Sequence, residues 1–245
     1  MSLGARTAED EALDAVAAGR SDDPFAVLGR HRVVVDGRSA LVIRTMQPSA
    51  SDVQLVTPDR VYGMQRCRPE GLYQATVPLD GRAPESFVYR FRVREGAATR
   101  DVVDPYQFNQ VLSDFDLHLF AEGTHYRVWE RFGAHRMTID GTTGVHFAVW
   151  APNAQRVSAI GDFNRWDGRA HPMRRLVPSG VWEIFVPDLT DGDCYKFELR
   201  TTAGHLLHKA DPYAPENRRV EFRAEYEIAD AAPSTDKPGK RPHSG

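Results

Sequence analysis

The residues with the clearest chemical potential form one short loop. The segment Gly161–Asp167 (GDFNRWD) follows a predicted strand and places Trp166 at the tip of a polar turn. The C–H face of a pyranose ring stacks well on an indole, and neighbouring amide and charged groups bind sugar hydroxyls. Lys196 lies in the alternating run Tyr195–Phe197, which predicts that its side chain points outward. Trp166, Lys196 and Asn164 therefore predict a sugar-binding platform on one face of a β-sandwich.

The same loop also has a structural interpretation. Asp162 or Asn164 can accept hydrogen bonds from the backbone amides of a tight turn, and Phe163 can close the core beneath it. The residue types alone leave both interpretations open.

Three further tryptophans have positions typical of structural residues. Trp150 and Trp182 alternate within apolar strands, and Trp129 lies in an apolar segment between the two halves of the chain. Such positions predict burial in a core or at a domain interface.

No other group of residues indicates catalysis or metal binding. His31 and His135 occupy matching positions in a repeat, which favours a structural role, and His205 and His208 fit a solvated turn. The chain has no nucleophile elbow, phosphate-binding glycine loop or zinc signature, and no carboxylate pair stands out as a glycosidase dyad. We predict no catalytic residue, no cofactor and no metal site.

The elements that position these residues come from an internal repeat. Leu28–Val33 matches Phe132–Met137 at an offset of 104 residues, and Asp104–Tyr106 matches Asp211–Tyr213 at an offset of 107. Such a small drift is what loop insertions produce, so the chain contains two copies of one domain. A function that only one copy has should appear as a difference between them.

Both copies consist of short segments with period-two alternation, punctuated by Gly and Pro. This pattern predicts an all-β protein: two tandem immunoglobulin-like β-sandwiches with short connecting helices. The predicted domains are a helical segment (1–20), a first sandwich (21–112), a helical connector (113–132), a second sandwich (133–228) and a disordered tail (229–245). The connector is too apolar for a flexible linker, so we expect it to pack against a sandwich. Alternation near residues 220–228 predicts a last edge strand.

Composition excludes several classes of protein. The 245 residues are 41% hydrophobic and 27% charged with a net charge of −3, so no basic surface predicts nucleic-acid binding. No apolar run is long enough for a membrane span, and the first twenty residues do not form a secretory signal. Cys67 and Cys194 lie at non-equivalent positions of the two copies, so free thiols and a cytoplasmic location are expected.

Several sequence segments resemble a known family. Phe132–His135, Gly144–Ala154, Gly161–Asp167 and Lys209–Tyr213 strongly resemble the amino-terminal part of bacterial 1,4-α-glucan (glycogen) branching enzymes. Within it, the second copy resembles the family 48 carbohydrate-binding module, and the first copy resembles the extra amino-terminal domain of the longer members. The loop motif alone would also fit isoamylases, trehalohydrolases and glycogen-binding kinase subunits.

The resemblance implies α-glucan, as glycogen or maltooligosaccharide, as the partner. It implies Trp166 and Lys196 as glucan contacts with Asn164 in support. A second tryptophan that strongly binding relatives carry is missing here, where the chain reads Gly204–His208 (GHLLH). In the first copy Tyr62 and Arg90 stand at the positions of Trp166 and Lys196, either as a weaker platform or as purely structural residues.

The resemblance also implies a two-step transfer of an α-1,4 glucan chain to a 6-hydroxyl through a glycosyl-enzyme ester. Its carboxylates lie on a following barrel of about 250 residues, and the barrel motifs do not occur in this sequence. We therefore assign no catalytic residue of that family to this sequence, and we expect this chain alone to be inactive. The alternatives are a spacer that docks on a separately encoded barrel, or the product of a truncated, split or frameshifted gene.

Overall fold

The computed structural model describes residues 7–189 and 192–214, together with the backbone of residues 223–224. Most of its regular structure is β-strand, and the described residues form two α-helices, α1 (Ala8–Ala17) and α2 (Asp114–Ala121). The side chain of Thr7 or Ser113 caps each helix by accepting a backbone hydrogen bond. Short 3₁₀ turns lie at Pro24–Ala26, Pro84–Ser86, Pro105–Gln107, Val128–Glu130 and Asp162–Asn164.

The first domain is a sandwich of two four-stranded antiparallel sheets. Its strands are β1 (Gly29–Val35), β2 (Arg38–Met46), β3 (Asp52–Val56), β4 (Val61–Gly63), β5 (Gln65–Arg68), β6 (Leu72–Pro78), β7 (Arg90–Glu95) and β8 (Ala98–Val102). One sheet has the order β1-β2-β6-β5 and the other β4-β3-β7-β8. Alternate side chains such as Ile43, Leu55 and Phe91 are fully buried between them, because successive side chains of a strand point to opposite faces.

The second domain repeats this arrangement. Its strands are β9 (Gly133–Ile139), β10 (Thr142–Trp150), β11 (Ala154–Gly161), β12 (Arg174–Leu176), β13 (Val181–Pro187), β14 (Cys194–Thr201), β15 (Leu206–Lys209) and β16 (Arg223–Ala224). The sheets have the orders β9-β10-β13-β12 and β11-β14-β15, with β16 parallel to β14. The all-β prediction of two tandem sandwiches with short connecting helices is confirmed; the predicted domain edges stay a prediction.

Equivalent hydrogen bonds make the repeat visible in atomic detail. Nε2 of His31 donates to the carbonyl oxygen of Leu28 at 3.0 Å, and Nε2 of His135 donates to that of Phe132 at 2.8 Å. Both bonds link the start of the domain's first strand to the residue three positions before the histidine. The prediction of a structural role for these two histidines is therefore confirmed.

The two copies differ in the segment that follows β3 in the first domain and β11 in the second. In the first domain the chain soon forms the edge strand β4 beside β3, whereas in the second domain the loop Gly161–Asp167 comes before residues 171–173 pair with the edge of β11. The difference falls on the segment that the sequence marked as chemically distinctive.

The connector packs against the second sandwich, as its apolar composition predicts. Leu117, Phe120 and Val128 cover a cluster on the outer face of β10 and β13. The buried Glu183 carboxylate on that face accepts hydrogen bonds from the backbone amides of Val111 and Leu112, both at 3.0 Å. Strand β13 is consequently buried on both faces.

The domains also share a core. Leu13 and Val16 of α1 and Tyr106 of the first domain belong to the same buried cluster as Phe147 and Trp182 of the second. The hydroxyl of Tyr106 donates to the carbonyl oxygen of Pro172 at 3.2 Å. One continuous apolar cluster therefore joins the two sandwiches.

Two predictions concern residues that lie mainly outside the described ranges. Of the predicted edge strand near residues 220–228, only 223–224 are described, and the predicted disordered tail (229–245) lies outside the described residues. No helix among the described residues has the length and apolar character needed to span a membrane.

Candidate carbohydrate-binding site

The loop after β11 has an unusual backbone. Arg165 and Trp166 both adopt left-handed conformations, with φ of 56° and 61°. Non-glycine residues reach this region at a cost of roughly 1–2 kcal/mol each, so surrounding contacts must hold them there. One such contact is the hydrogen bond from the backbone N–H of Trp166 to the carbonyl oxygen of Gly161 at 2.9 Å.

Asn164 braces this loop from inside. Its Oδ1 accepts from the N–H of Gly161 at 2.9 Å, and its Nδ2 donates to the carbonyl oxygen of Ala159 at 2.8 Å and to Nδ1 of His171 at 2.9 Å. Both amide hydrogens are used inside the protein, and the side chain is buried. The turn interpretation thus describes Asn164 well, and its part in a site is to shape the loop.

His171 completes the brace as a neutral ring. Burial lowers the pKa of His171 to about 4, and the positive charge of Arg100 acts in the same direction. A neutral imidazole can offer an unprotonated Nδ1, which is the acceptor that Asn164 requires. The ring also packs against Phe163 at a centroid distance of 5.5 Å.

The Trp166 ring is oriented by its neighbours. Its Nε1 donates to Oδ1 of Asp162 at 3.1 Å, while Oδ2 of Asp162 accepts from the N–H of Cys194 at 3.2 Å. Nζ of Lys196 lies 5.9 Å from the ring centroid, within the range of a cation–π interaction. The structure therefore brings Trp166 and Lys196 together, with Asn164 behind them in the loop.

Lys196 points to the outer face of its sheet, as predicted, since Tyr195 and Phe197 are both in the core. However, only 8% of Lys196 is exposed, and Trp166 is half-buried. These two side chains lie beside each other, so the predicted platform offers less open surface than its residue types suggest. Lys196 thus supports the indole from below.

A cavity of about 360 Å³ opens beside Trp166. Its lining includes Ala18, Gly19, Arg156, Arg165, Asp167, Gly168, Arg169, Glu198, Arg200 and Leu206. Two of its arginines are neutralised, because Arg156 forms an ion pair with Glu198, and Arg169 forms one with Asp167 at 2.7 Å. The wall is polar, with the half-exposed Leu206 as an apolar element.

Arg200 is one member of this wall that the sequence analysis did not name. Its Nε is buried without a hydrogen-bond partner among the described residues, as is Nε of Arg156. The position of Arg200, four residues after Lys196 on β14, places both on the same outer face and could have revealed it.

The first domain has no equivalent arrangement in its described residues. Tyr62 stands opposite Leu55 and packs against the first core, with the guanidinium of Arg60 5.7 Å from its ring centroid. Arg90 pairs with Val56, one position along the strand, and therefore lies on the opposite face of the sheet. Of the two possibilities left open for the first copy, the geometry favours the structural one.

The other tryptophans divide into two groups. Trp182 is fully buried, and its Nε1 donates to the carbonyl oxygen of Ala151 at 3.0 Å, so the core prediction is confirmed. Trp129 and Trp150 are each 54% exposed, so a core position is wrong for both, and a position at a domain interface stays a prediction. The connector covers the middle of the outer sheet face. Trp150 lies at the end of β10, where its Nε1 donates to the carbonyl oxygen of Ser179 at 3.2 Å and its ring meets the edge of Phe120 at a centroid distance of 6.1 Å.

Family models match both domains. Residues 9–106 match the alpha-1,4-glucan branching enzyme GlgB N-terminal domain, and residues 131–214 match carbohydrate-binding module 48, described as the isoamylase N-terminal domain.

Relatives named 1,4-alpha-glucan branching enzyme GlgB match across both domains. The Rhodospirillum rubrum protein is 49% identical over 84% of this chain and 28% of its own length. The Paramagnetospirillum magneticum protein is 50% identical over 82% and 26%. A solved pullulanase from Anoxybacillus sp. LM18-11 aligns over 76% of this chain and 26% of its own at 19% identity, with a TM-score of 0.29, too low to carry an argument.

The chain thus spans roughly a quarter of the length of these relatives. Both family models and the relatives agree with the resemblance seen in the sequence. The two domains are the amino-terminal region of the 1,4-α-glucan branching enzyme family, an N-terminal domain followed by a family 48 carbohydrate-binding module.

Proposed function

We propose that the second domain binds α-1,4-linked glucan at Trp166 and so holds or orients glycogen or maltooligosaccharide for chain transfer. The observation that carries this proposal is the indole itself. It is fixed by Asp162 and Lys196 beside a polar cavity, in the segment where the two copies differ.

The side chains around Trp166 have the chemistry that binds a sugar. The accessible face of Trp166 stacks on the C–H face of a glucose ring, and Leu206 adds apolar surface at the same cavity. The guanidinium of Arg200 on the cavity wall supplies N–H donors for sugar hydroxyls. A single small platform of this kind supports dissociation constants on the order of 1 mM, or about 4 kcal/mol.

The transfer of an α-1,4 chain to a 6-hydroxyl is proposed for the whole protein, on the strength of the relatives' names. We assign no step of that reaction to residues 7–214. Because Cys67 and Cys194 are free thiols, we propose that the binding takes place in the cytoplasm.

A second candidate function is docking on a catalytic barrel. Large apolar side chains are exposed along the connector and the neighbouring strand end, namely Phe115, Tyr126, Trp129 and Trp150. Exposed apolar surface of this kind is typical of protein–protein contacts. The two functions are compatible, because Trp150 ends β10 of one sheet, whereas Trp166 lies in the loop that follows β11 of the other.

The test compares two tryptophans. We expect Trp166→Ala to weaken binding of the chain to glycogen in native affinity electrophoresis by about ten-fold or more, because the stacking surface is lost. Trp150→Ala is the matched control, since it removes an exposed tryptophan away from the loop and should leave retardation unchanged. Equal retardation of wild type and Trp166→Ala would refute this site and leave docking as the favoured function.

A further inference from the structure

The loop that presents Trp166 is tied to the other domain. Nη2 of Arg165 lies 2.6 Å from Oε2 of Glu95, at the end of β7 in the first domain. The Glu95 side chain is only 14% exposed, and Arg100 contributes a second cation at 3.6 Å. The carboxylate is thus a mostly buried anchor for the most exposed part of the loop.

The backbone gives this anchor its importance. Arg165 is the first of the two consecutive left-handed residues, so its side chain and the Trp166 indole project from one strained corner. The contacts within the second domain restrain Asn164 on one side and Trp166 on the other. Among the described residues, Glu95 is the ion-pair partner that fixes the Arg165 side chain.

The first half of the chain also reaches the cavity directly. Ala18 and Gly19, which follow helix α1, line the wall beside Trp166. A Cβ atom built on Gly19 would lie 2.6 Å from Nη1 of Arg156 and 3.2 Å from Cγ of Arg169, so the backbone approaches this wall closely. Two separate parts of the chain before residue 100 therefore help to build the site.

We propose that Glu95 of the first domain is a positioning residue for the glucan platform of the second. By holding Arg165, it selects the loop conformation in which the Trp166 indole faces the cavity. The first domain is then part of the binding site and more than a spacer. This inference rests on the proposed glucan binding at Trp166.

One test needs no sugar. The chain has four tryptophans, so its indole N–H groups give four resolvable NMR signals, and Trp166→Phe assigns one of them. We expect Glu95→Gln to shift and broaden the Trp166 signal while the signal of the buried Trp182 stays in place. An unchanged Trp166 signal would overturn the positioning role.

A second test measures affinity for maltoheptaose by calorimetric titration of the full chain. We expect Glu95→Gln to weaken binding roughly three- to five-fold, the range that a partly buried ion pair supports. The control is Asp59→Asn. This variant also removes one carboxylate of an ion pair from the first domain, but its partner is Arg82 and not the loop. The double variant Glu95→Gln/Arg165→Gln should bind no more weakly than Arg165→Gln alone, because both changes remove the same ion pair, whereas two independent losses would add.

Trp166→Ala in the same titration separates the two claims. If Trp166→Ala loses binding and Glu95→Gln keeps wild-type affinity, the glucan site stands and the role of Glu95 is wrong. If Trp166→Ala binds like wild type, the site itself is wrong, and the inference falls with it.

Discussion

His171 and Asn164 determine the conformation of the Trp166 loop from inside the protein. The imidazole accepts one hydrogen bond from the Asn164 amide, and that amide fixes the turn before Arg165 and Trp166. A protonated His171 could not accept this bond, since both ring nitrogens would then be donors. The protonation state of His171 is therefore linked to the shape of the loop.

This linkage predicts an acid sensitivity. The pKa of His171 is about 4 in the folded chain, below the ordinary value of 6.5, so its contribution to stability is present above pH 6.5 and is lost as pH falls through 4. We expect His171→Gln, which keeps an acceptor, to reduce the fall in unfolding free energy between pH 7 and pH 4 by about 1–3 kcal/mol. Urea denaturation at both pH values measures it.

The comparison with wild type is necessary because the titration of Asp104 changes the unfolding free energy with pH in the opposite direction. Burial raises the pKa of Asp104 to about 6, so its contribution is present below the ordinary value of 3.8 and is lost as pH rises through 6. This contribution is common to both proteins and cancels in the difference. Parallel pH profiles for wild type and His171→Gln would contradict the assignment.

At the scale of elements, each sandwich closes with the same tyrosine–aspartate pair. The hydroxyl of Tyr89 on β7 donates to Oδ2 of Asp104 at 2.5 Å, and the hydroxyl of Tyr195 on β14 donates to Oδ2 of Asp211 at 2.5 Å. In each copy the other carboxylate oxygen accepts from the backbone N–H two residues later. The pair thus pins the chain leaving the domain to a central strand.

These pairs predict matched losses of stability. Tyr89→Phe and Tyr195→Phe each leave a buried carboxylate with one donor fewer, which costs about 1.5–3 kcal/mol. Urea denaturation at pH 7 should show losses of similar size for both variants. Tyr126→Phe is the control, because that side chain is largely exposed. A loss below about 0.5 kcal/mol in either copy would show that the hydroxyl is replaceable there.

The strands and the repeat could be predicted from the sequence more fully than the candidate site could. Alternation predicted the strands, and the repeat predicted that Asp104 and Asp211 are equivalent, because both signals are local. The direction of Lys196 followed from its inward neighbours, but its burial did not, since it depends on the side chains that surround it in the folded domain, Trp166 among them. The contact between Glu95 and Arg165 depends on how the domains pack, and no local pattern encodes it.

The same limit explains why Trp129 and Trp150 are not in the core. An apolar residue at an alternating position predicts a buried face, but the outer face of a sheet is buried only as far as its cover extends. Leu117, Phe120 and Val128 of the connector reach the middle of that face, and Trp150 lies at the end of the strand.

At the scale of the whole molecule, we expect the shared core to make the two domains unfold as one unit. Helix α1 inserts Leu13 and Val16 into the cluster that contains Phe147 and Trp182. Separating the domains would expose this surface to water, at roughly 25 cal/mol for each Å² of apolar area. The same packing places Glu95 against Arg165, so the geometry of the platform depends on an intact interface.

Calorimetry tests this coupling. We expect one unfolding transition for the chain, with a calorimetric enthalpy equal to the van't Hoff enthalpy, and an upward shift of that whole transition when maltoheptaose is added. Val16→Asp places a charge in the shared cluster and should split unfolding into two transitions. Val34→Asp, at a largely exposed position of β1, should keep the single transition. Two transitions in the wild-type chain would show that each sandwich folds independently, and the first domain could then position Trp166 only through its ion pair.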